Sequence, residues 1–131
     1  MGKKQLMMHL DTHVVLWLYE GLLDKFSSFA KKQLEDHELM ISPMVQLELE
    51  YLFEIKRIKH RSNVIIAELM QTLALKIIDI PLEKIILEAV KLSWTRDPFD
   101  RIIVASAQIT DALLLTKDTQ IAKHYKHTIW D

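Results

Sequence analysis

Four acids in this sequence, Asp11, Glu48, Asp100 and Asp118, have surroundings that suit carboxylates gathered around a cation. Asp11 directly follows the apolar run Leu6 to Leu10, and Asp118 follows the run Leu113 to Thr116 with one residue between. Aspartate is also a preferred helix N-cap, favoured by the positive end of the helix dipole, so position alone leaves both roles open for these two. Glu48 is more informative. Its segment has a polar face of Gln46, Glu50, Glu54 and Arg57, and an apolar stripe of Ile41, Val45, Leu52 and Ile55. Glu48 falls in the stripe. A carboxylate there needs a partner, because burying an unpaired charge is expensive. A structural ion pair would use an arginine such as Arg101. Glu50 reads as a surface acid. Asp97 precedes Pro98, an N-cap followed by proline at the first helical position. Asp100 falls two residues after Pro98, where a carboxylate can complete a capping box, but it also lies one turn before Ile103 and Val104 on an apolar stripe. Asp97 therefore reads as a cap or support and Asp100 as functional.

If the four acids converge, their repulsion decides the chemistry. Two carboxylates about 5 Å apart cost roughly 3 kcal/mol at an effective dielectric of about 20. Several such pairs need cations to stay ionised. An all-oxygen cluster selects a hard divalent ion, Mg²⁺ or Mn²⁺. Such ions suit phosphodiester hydrolysis, since they lower the pKa of an attacking water and stabilise the leaving oxygen. Thr12 and Thr116 flank the cluster as hydroxyls that can orient its ligands. His13 reads as a neighbour, because imidazole is not preferred by Mg²⁺.

Short apolar runs alternating with helical segments must position these residues. Strands are predicted at Leu6 to Leu10, Leu39 to Ser42, Leu75 to Ile80 and Leu113 to Thr116, with an edge strand at Thr128 to Trp130. Helices are predicted at Thr12 to Tyr19, ending near Gly21, at Asp24 to Asp36, from Pro43 onward, at Ser62 to Ala74, at Pro81 to Ser93, from Asp97-Pro98 to about Gln108, and from Asp118. This alternation means an α/β sandwich around a mainly parallel sheet. Such sheets bind ligands at the carboxyl ends of their strands, where Asp11 and Asp118 fall.

Composition narrows the function further. With 131 residues, half of them hydrophobic, the chain forms one domain with a real core. It has no cysteine, which excludes thiolate metal sites and disulfides. It has only two glycines, Gly2 and Gly21, which excludes glycine-rich phosphate loops. Lys3 and Lys4 precede a stretch too short and polar for a signal peptide, and no run reaches the roughly 18 apolar residues of a membrane span. A soluble, cytoplasmic protein is expected. The net charge of −1 argues against a broad basic surface for nucleic acid. Two local basic runs remain: Lys56, Arg57, Lys59, His60 and Arg61, then Lys123, His124, Lys126 and His127. Both read as solvated helix ends and loops. Trp17, Trp94 and Trp130 read as packing or interface residues. A haloacid-dehalogenase-like phosphatase would need an acid where His13 stands, and a response-regulator receiver would need an acidic pair at the end of the first strand, which is missing.

Taken in order, Leu10-Asp11-Thr12-His13, Ile41-Ser42-Pro43 leading to Glu48, Arg96-Asp97-Pro98-Phe99-Asp100-Arg101, and Thr116-Lys117-Asp118 resemble the PIN domain over essentially the whole chain. The likeness is greatest to VapC-type toxins of prokaryotic toxin–antitoxin pairs. The resemblance implies an α/β/α sandwich and a Mg²⁺- or Mn²⁺-dependent endoribonuclease acting on RNA. It implies that Asp11, Glu48, Asp100 and Asp118 are the metal-binding and catalytic acids, with Asp97 in support. It also implies a homodimer and a cognate antitoxin that inserts into the active-site groove. Pro43 departs from the pattern, where a small residue is commoner. The alternatives are a PIN-type module that binds RNA or a partner with little or no turnover, and an RNA-processing PIN nuclease without an antitoxin.

Overall fold

A computed structural model describes residues 6–131; Lys3 and Lys4 lie outside it. The chain runs β1 (Met7–Leu10), α1 (Thr12–Glu20), α2 (Ser28–Asp36), β2 (Glu38–Ile41), α3 (Pro43–Glu54), α4 (Ser62–Leu73), β3 (Lys76–Ile77), α5 (Leu82–Ala89), α6 (Pro98–Ile109), β4 (Leu113–Leu115), α7 (Thr119–His124) and β5 (Thr128–Ile129). The five strands form one sheet in the order β3-β2-β1-β4-β5, and every pairing is parallel. The α/β sandwich with a parallel sheet is therefore what the chain forms.

An all-parallel sheet is covered on both faces, so its central strands are apolar on both sides. Met8 and Leu10 of β1, Leu39 and Ile41 of β2, and Leu114 and Leu115 of β4 are all buried. Strand order proceeds outward from β1 through β2 to β3, then returns to the other side of β1 for β4. The carboxyl ends of β1 and β4 thus flank the point where the order reverses, where open α/β sheets form their crevice. Asp11 leaves β1 and Thr116 leaves β4 at this point, and the Asp11 N–H donates to Leu115 O at 3.2 Å.

Helix ends follow local chemistry. Gly21 takes φ +71° at the end of α1, a left-handed conformation that glycine adopts without strain. Pro43 and Pro98 open α3 and α6, each preceded by a capping side chain, Ser42 and Asp97.

Three elements fall short of the sequence expectation by more than one residue. The segment predicted as one helix from Asp24 to Asp36 is a 3-10 turn, Leu23–Lys25, followed by α2. Phe26 is extended and buried between them, and Ser27 Oγ caps α2 by accepting from the Ala30 N–H at 3.0 Å. The predicted strand from Leu75 to Ile80 pairs only at Lys76–Ile77. The helix predicted from Pro81 to Ser93 stops at Ala89, because Arg101 of α6 takes its last carbonyls: Nε donates to Ala89 O at 3.2 Å and Nη2 to Val90 O at 3.3 Å.

One buried side chain makes stability depend on pH. His9 in β1 is fully buried, with Nε2 3.1 Å from Thr110 Oγ1 and Nδ1 unpartnered. Burial lowers its pKa from 6.5 to about 4. Between these values the unfolded chain takes up a proton that the folded chain refuses, so this contribution to stability is full above pH 6.5 and is lost as pH falls toward 4. At pH 5 the loss is about 2 kcal/mol relative to pH 7. Urea unfolding of the parent and of His9→Gln, which cannot titrate, is expected to show the difference between them shifting by that amount against the parent. Parallel pH profiles would overturn this account.

Candidate active site

Asp11 is 8% exposed and is held by two hydrogen bonds. Oδ1 accepts from the Thr12 N–H at 2.8 Å, and Oδ2 accepts from Thr116 Oγ1 at 2.7 Å. The fully buried Thr12 turns its own hydroxyl the other way and donates to Glu48 Oε1. Thr116 Oγ1 also accepts from the Asp118 N–H at 3.0 Å. Two threonines thus join four elements: Thr12 ties the start of α1 to the middle of α3, and Thr116 ties the end of β1 to the start of α7. Their expected role in orienting the acids corresponds to these bonds.

Glu48 is partly buried, between the buried Val45 and Leu49 on α3. The apolar stripe that predicted its inward direction is real but shorter, since Ile55 is exposed beyond the helix end. Its hydrogen-bond partner is Thr12 rather than Arg101, whose guanidinium closes α5. Burial raises the pKa of Glu48, reinforced by the charges of Asp11 and Asp97 and opposed by the Thr12 hydrogen bond.

Asp97 and Asp118 are exposed and cap helices. Asp97 Oδ1 accepts from the Phe99 N–H at 2.9 Å and the Asp100 N–H at 3.4 Å. Asp118 Oδ1 accepts from the Gln120 N–H at 2.8 Å and the Ile121 N–H at 3.2 Å. Capping uses one oxygen of each and leaves the other free of these bonds. Sequence reasoning missed Thr95, whose hydroxyl accepts from the Asp97 N–H at 3.1 Å and sets the turn before α6. A threonine two residues before a capping aspartate is the available signal for such a turn.

Asp100 feels the charge of the other acids most strongly. Its pKa is pushed from 3.8 to about 7, first by burial and then by the negative charges of Asp97, Asp11, Asp118 and Glu48. Burial likewise raises Asp11, against its two hydrogen bonds, and Asp118 adds to the rise. Five acids from four segments therefore share one electrostatic environment. Among the described residues, no three His, Asp or Glu side chains are gathered tightly enough to hold a metal ion as they stand. The donors are nonetheless carboxylate oxygens, and the charged forms of Asp11, Glu48 and Asp100 are disfavoured, which is the chemistry a hard divalent cation offsets.

Glu50, expected as a plain surface acid, is a structural one. It is partly exposed, but it accepts from the Ser62 N–H at 3.1 Å, from Ser62 Oγ at 3.0 Å and from Arg61 at 2.7 Å. These bonds hold its pKa down and cap α4 from α3. The basic run at 56–61 lies away from the acids. His60 packs against Tyr19 at the far end of α1 from Asp11, and Arg61 is paired with Glu50. In the second run His124 stacks on Trp94 at 4.7 Å, and His127 lies 3.5 Å from Asp111. All three tryptophans pack against the core, as expected of packing residues.

Comparison with known proteins agrees with this fold. A family model described as PIN domain matches residues 8–127, a span that contains all five acids. No curated protein matches the sequence. Among solved structures, VapBC2 from Rickettsia felis bound to a promoter DNA fragment superposes with a TM-score of 0.70 at 19% identity, covering 96% of this chain and 100% of that one. DNA-bound VapBC from Salmonella typhimurium gives 0.65 at 13% identity, covering 95% and 96%. VapBC-1 from nontypeable Haemophilus influenzae gives 0.64 at 16%, covering 96% and 97%. At these identities the structures share the fold. With the family model spanning nearly the whole sequence, the chain belongs to the PIN domain family.

Proposed function

We propose that this PIN domain is a metal-dependent endoribonuclease, the toxin of a toxin–antitoxin pair, with Asp11, Glu48, Asp100 and Asp118 as its metal-binding and catalytic acids. The observation that carries this reading is the hydrogen-bonded frame in which Thr12 and Thr116 hold Asp11, Glu48 and the Asp118 backbone at the carboxyl edge of the sheet, with the pKa of Asp100 raised by burial and by the charges of four other acids. A Mg²⁺ or Mn²⁺ ion held by these oxygens would activate water and offset charge on the phosphate. The protein's own part is positioning. Thr116 fixes the Asp11 carboxylate and the Asp118 backbone together, and Thr12 aims Glu48 toward the same region. Asp97 acts in support by holding the first turn of α6 and so the placement of Asp100. The VapBC likenesses support an antitoxin partner for this chain, and a homodimer and a cytoplasmic setting are part of the same proposal. No helix among the described residues is long and apolar enough to cross a membrane.

Incubating purified protein with total RNA in Mg²⁺, Mn²⁺ or EDTA tests this reading. Cleavage is expected only with metal, and end mapping is expected to give 3′-hydroxyl and 5′-phosphate products. RNA left intact in every metal would replace the nuclease with a binding module. Thr12→Val removes the hydroxyl that orients Glu48 and is expected to lower metal affinity or activity about 10- to 100-fold. Thr12→Ser is expected to restore most of it, read from the Mg²⁺ dependence of cleavage. Equal loss in both variants would place the role of Thr12 in packing.

A further inference from the structure

A nuclease of net charge −1 with five acids at its centre must hold a polyanion through contacts away from those acids. The first basic run of the sequence lies away from the acids, and in the second the two histidines are engaged by Trp94 and Asp111. A different group of cations sits on the elements that carry the acids. Trp17, Phe26 and Trp130 form one aromatic cluster, with Trp17 and Trp130 centroids 6.0 Å apart and Phe26 5.4 Å from Trp130. Exposed lysines lie over two of these rings: Lys25 Nζ is 5.5 Å from the Trp17 ring, and Lys117 Nζ is 5.9 Å from the Trp130 ring. His13, also exposed, lies 6.2 Å from Trp17.

The cluster is built from the same elements as the site. Trp17 is on α1, which Asp11 caps. The Thr116 N–H donates to Ile129 O at 3.2 Å, which sets Trp130 beside the β4 exit, and Lys117 immediately precedes Asp118. Ser27 Oγ donates to Trp130 O at 3.0 Å and fastens this end of the chain to α2. Aromatic faces next to flexible cations are the parts that unpaired nucleotides use, through base stacking and phosphate contact.

We propose that Trp17, Trp130, Lys25 and Lys117 form a subsite for single-stranded RNA beside the catalytic acids, binding a nucleotide that flanks the scissile phosphate. The inference rests on the nuclease reading for its substrate but not for its test. Binding of a fluorescein-labelled mixed-sequence 12-mer RNA is followed by anisotropy in EDTA, where metal-dependent cleavage is suppressed. The double substitution Lys25→Ala with Lys117→Ala is expected to weaken binding about tenfold and to flatten the slope of log affinity against log salt by about 1.4, as for two phosphate contacts on a single strand. Trp17→Leu and Trp130→Leu keep apolar packing and are each expected to weaken binding about tenfold. They are also expected to diminish the quenching of tryptophan fluorescence that RNA causes in the parent. Lys59→Ala, at the far end of α1, is expected to bind as the parent does, and duplex RNA is expected to compete poorly. Unchanged affinity and salt slope in the lysine variant would overturn the subsite, even with cleavage intact. A parent that binds no single-stranded RNA would overturn it too. Binding that falls as expected, in a protein that no metal makes cleave, would keep the subsite and sink the nuclease reading.

Discussion

Replacing Asp11 by asparagine is expected to reduce metal-dependent RNA cleavage by at least about a hundredfold while leaving the fold as stable as the parent or more so. Both halves follow from its surroundings. The carboxylate is buried, its charged form is disfavoured by burial, and the charge of Asp118 adds to that cost. Asparagine keeps the shape and the oxygen that accepts from the Thr12 N–H, and it removes the charge. On the proposed function, the cation that the charge would bind offsets that cost. Addition of Mg²⁺ is accordingly expected to raise the Tm of the parent and not that of Asp11→Asn, because a ligand that binds only the folded state stabilises it. Glu48→Gln, at a partly buried position, is expected to lose cleavage in the same way. A fully active Asp11→Asn would remove the acids from the mechanism.

The largest expected loss of stability comes from a residue with no chemistry. Leu114 lies in β4 between β1 and β5, opposite His9 and Thr128, and is fully buried. Leu114→Ala is expected to destabilise the protein by about 3 kcal/mol, through lost transfer free energy and an unfilled cavity. Urea unfolding should show the midpoint fall with an unchanged slope, and Tm should drop by about 10 °C. A loss below about 1 kcal/mol would mean that the core closes over the gap. The contrast with Asp11→Asn is diagnostic. One variant loses activity with Tm preserved, and the other loses Tm while its acids are intact.

Much of this was legible from residue order. Caps and breakers state themselves locally, as at Gly21, Pro43, Pro98 and the aspartates before helices. Glu48 announced itself by interrupting an apolar stripe. What stayed hidden depends on partners distant in sequence. Arg101 was the natural counter-ion for Glu48 on charge alone, yet it ends α5 from another helix. Glu50 looked like a surface acid because Ser62, which it holds, is twelve residues away. The break before α2 depends on burying Phe26 against Trp17 and Trp130, a contact no local pattern contains. The threonines were suspected, but which carboxylate each would hold is fixed only when α1 packs on α3 and β4 lies beside β1.

That pairing also sets when the site comes into being. Met8 lies opposite Leu113, and His9 opposite Leu114, so the middle of the sheet is closed by segments about a hundred residues apart in synthesis. Loop closure over such a span is slow, and the amino-terminal part of a growing chain folds first. Until β4 emerges, β1 has one open edge, Asp11 lacks the Thr116 hydroxyl, and Asp100 lacks a neighbour in Asp118. A ribosome translating this domain therefore carries, until β4 emerges, a chain whose Asp11 is not yet held by Thr116.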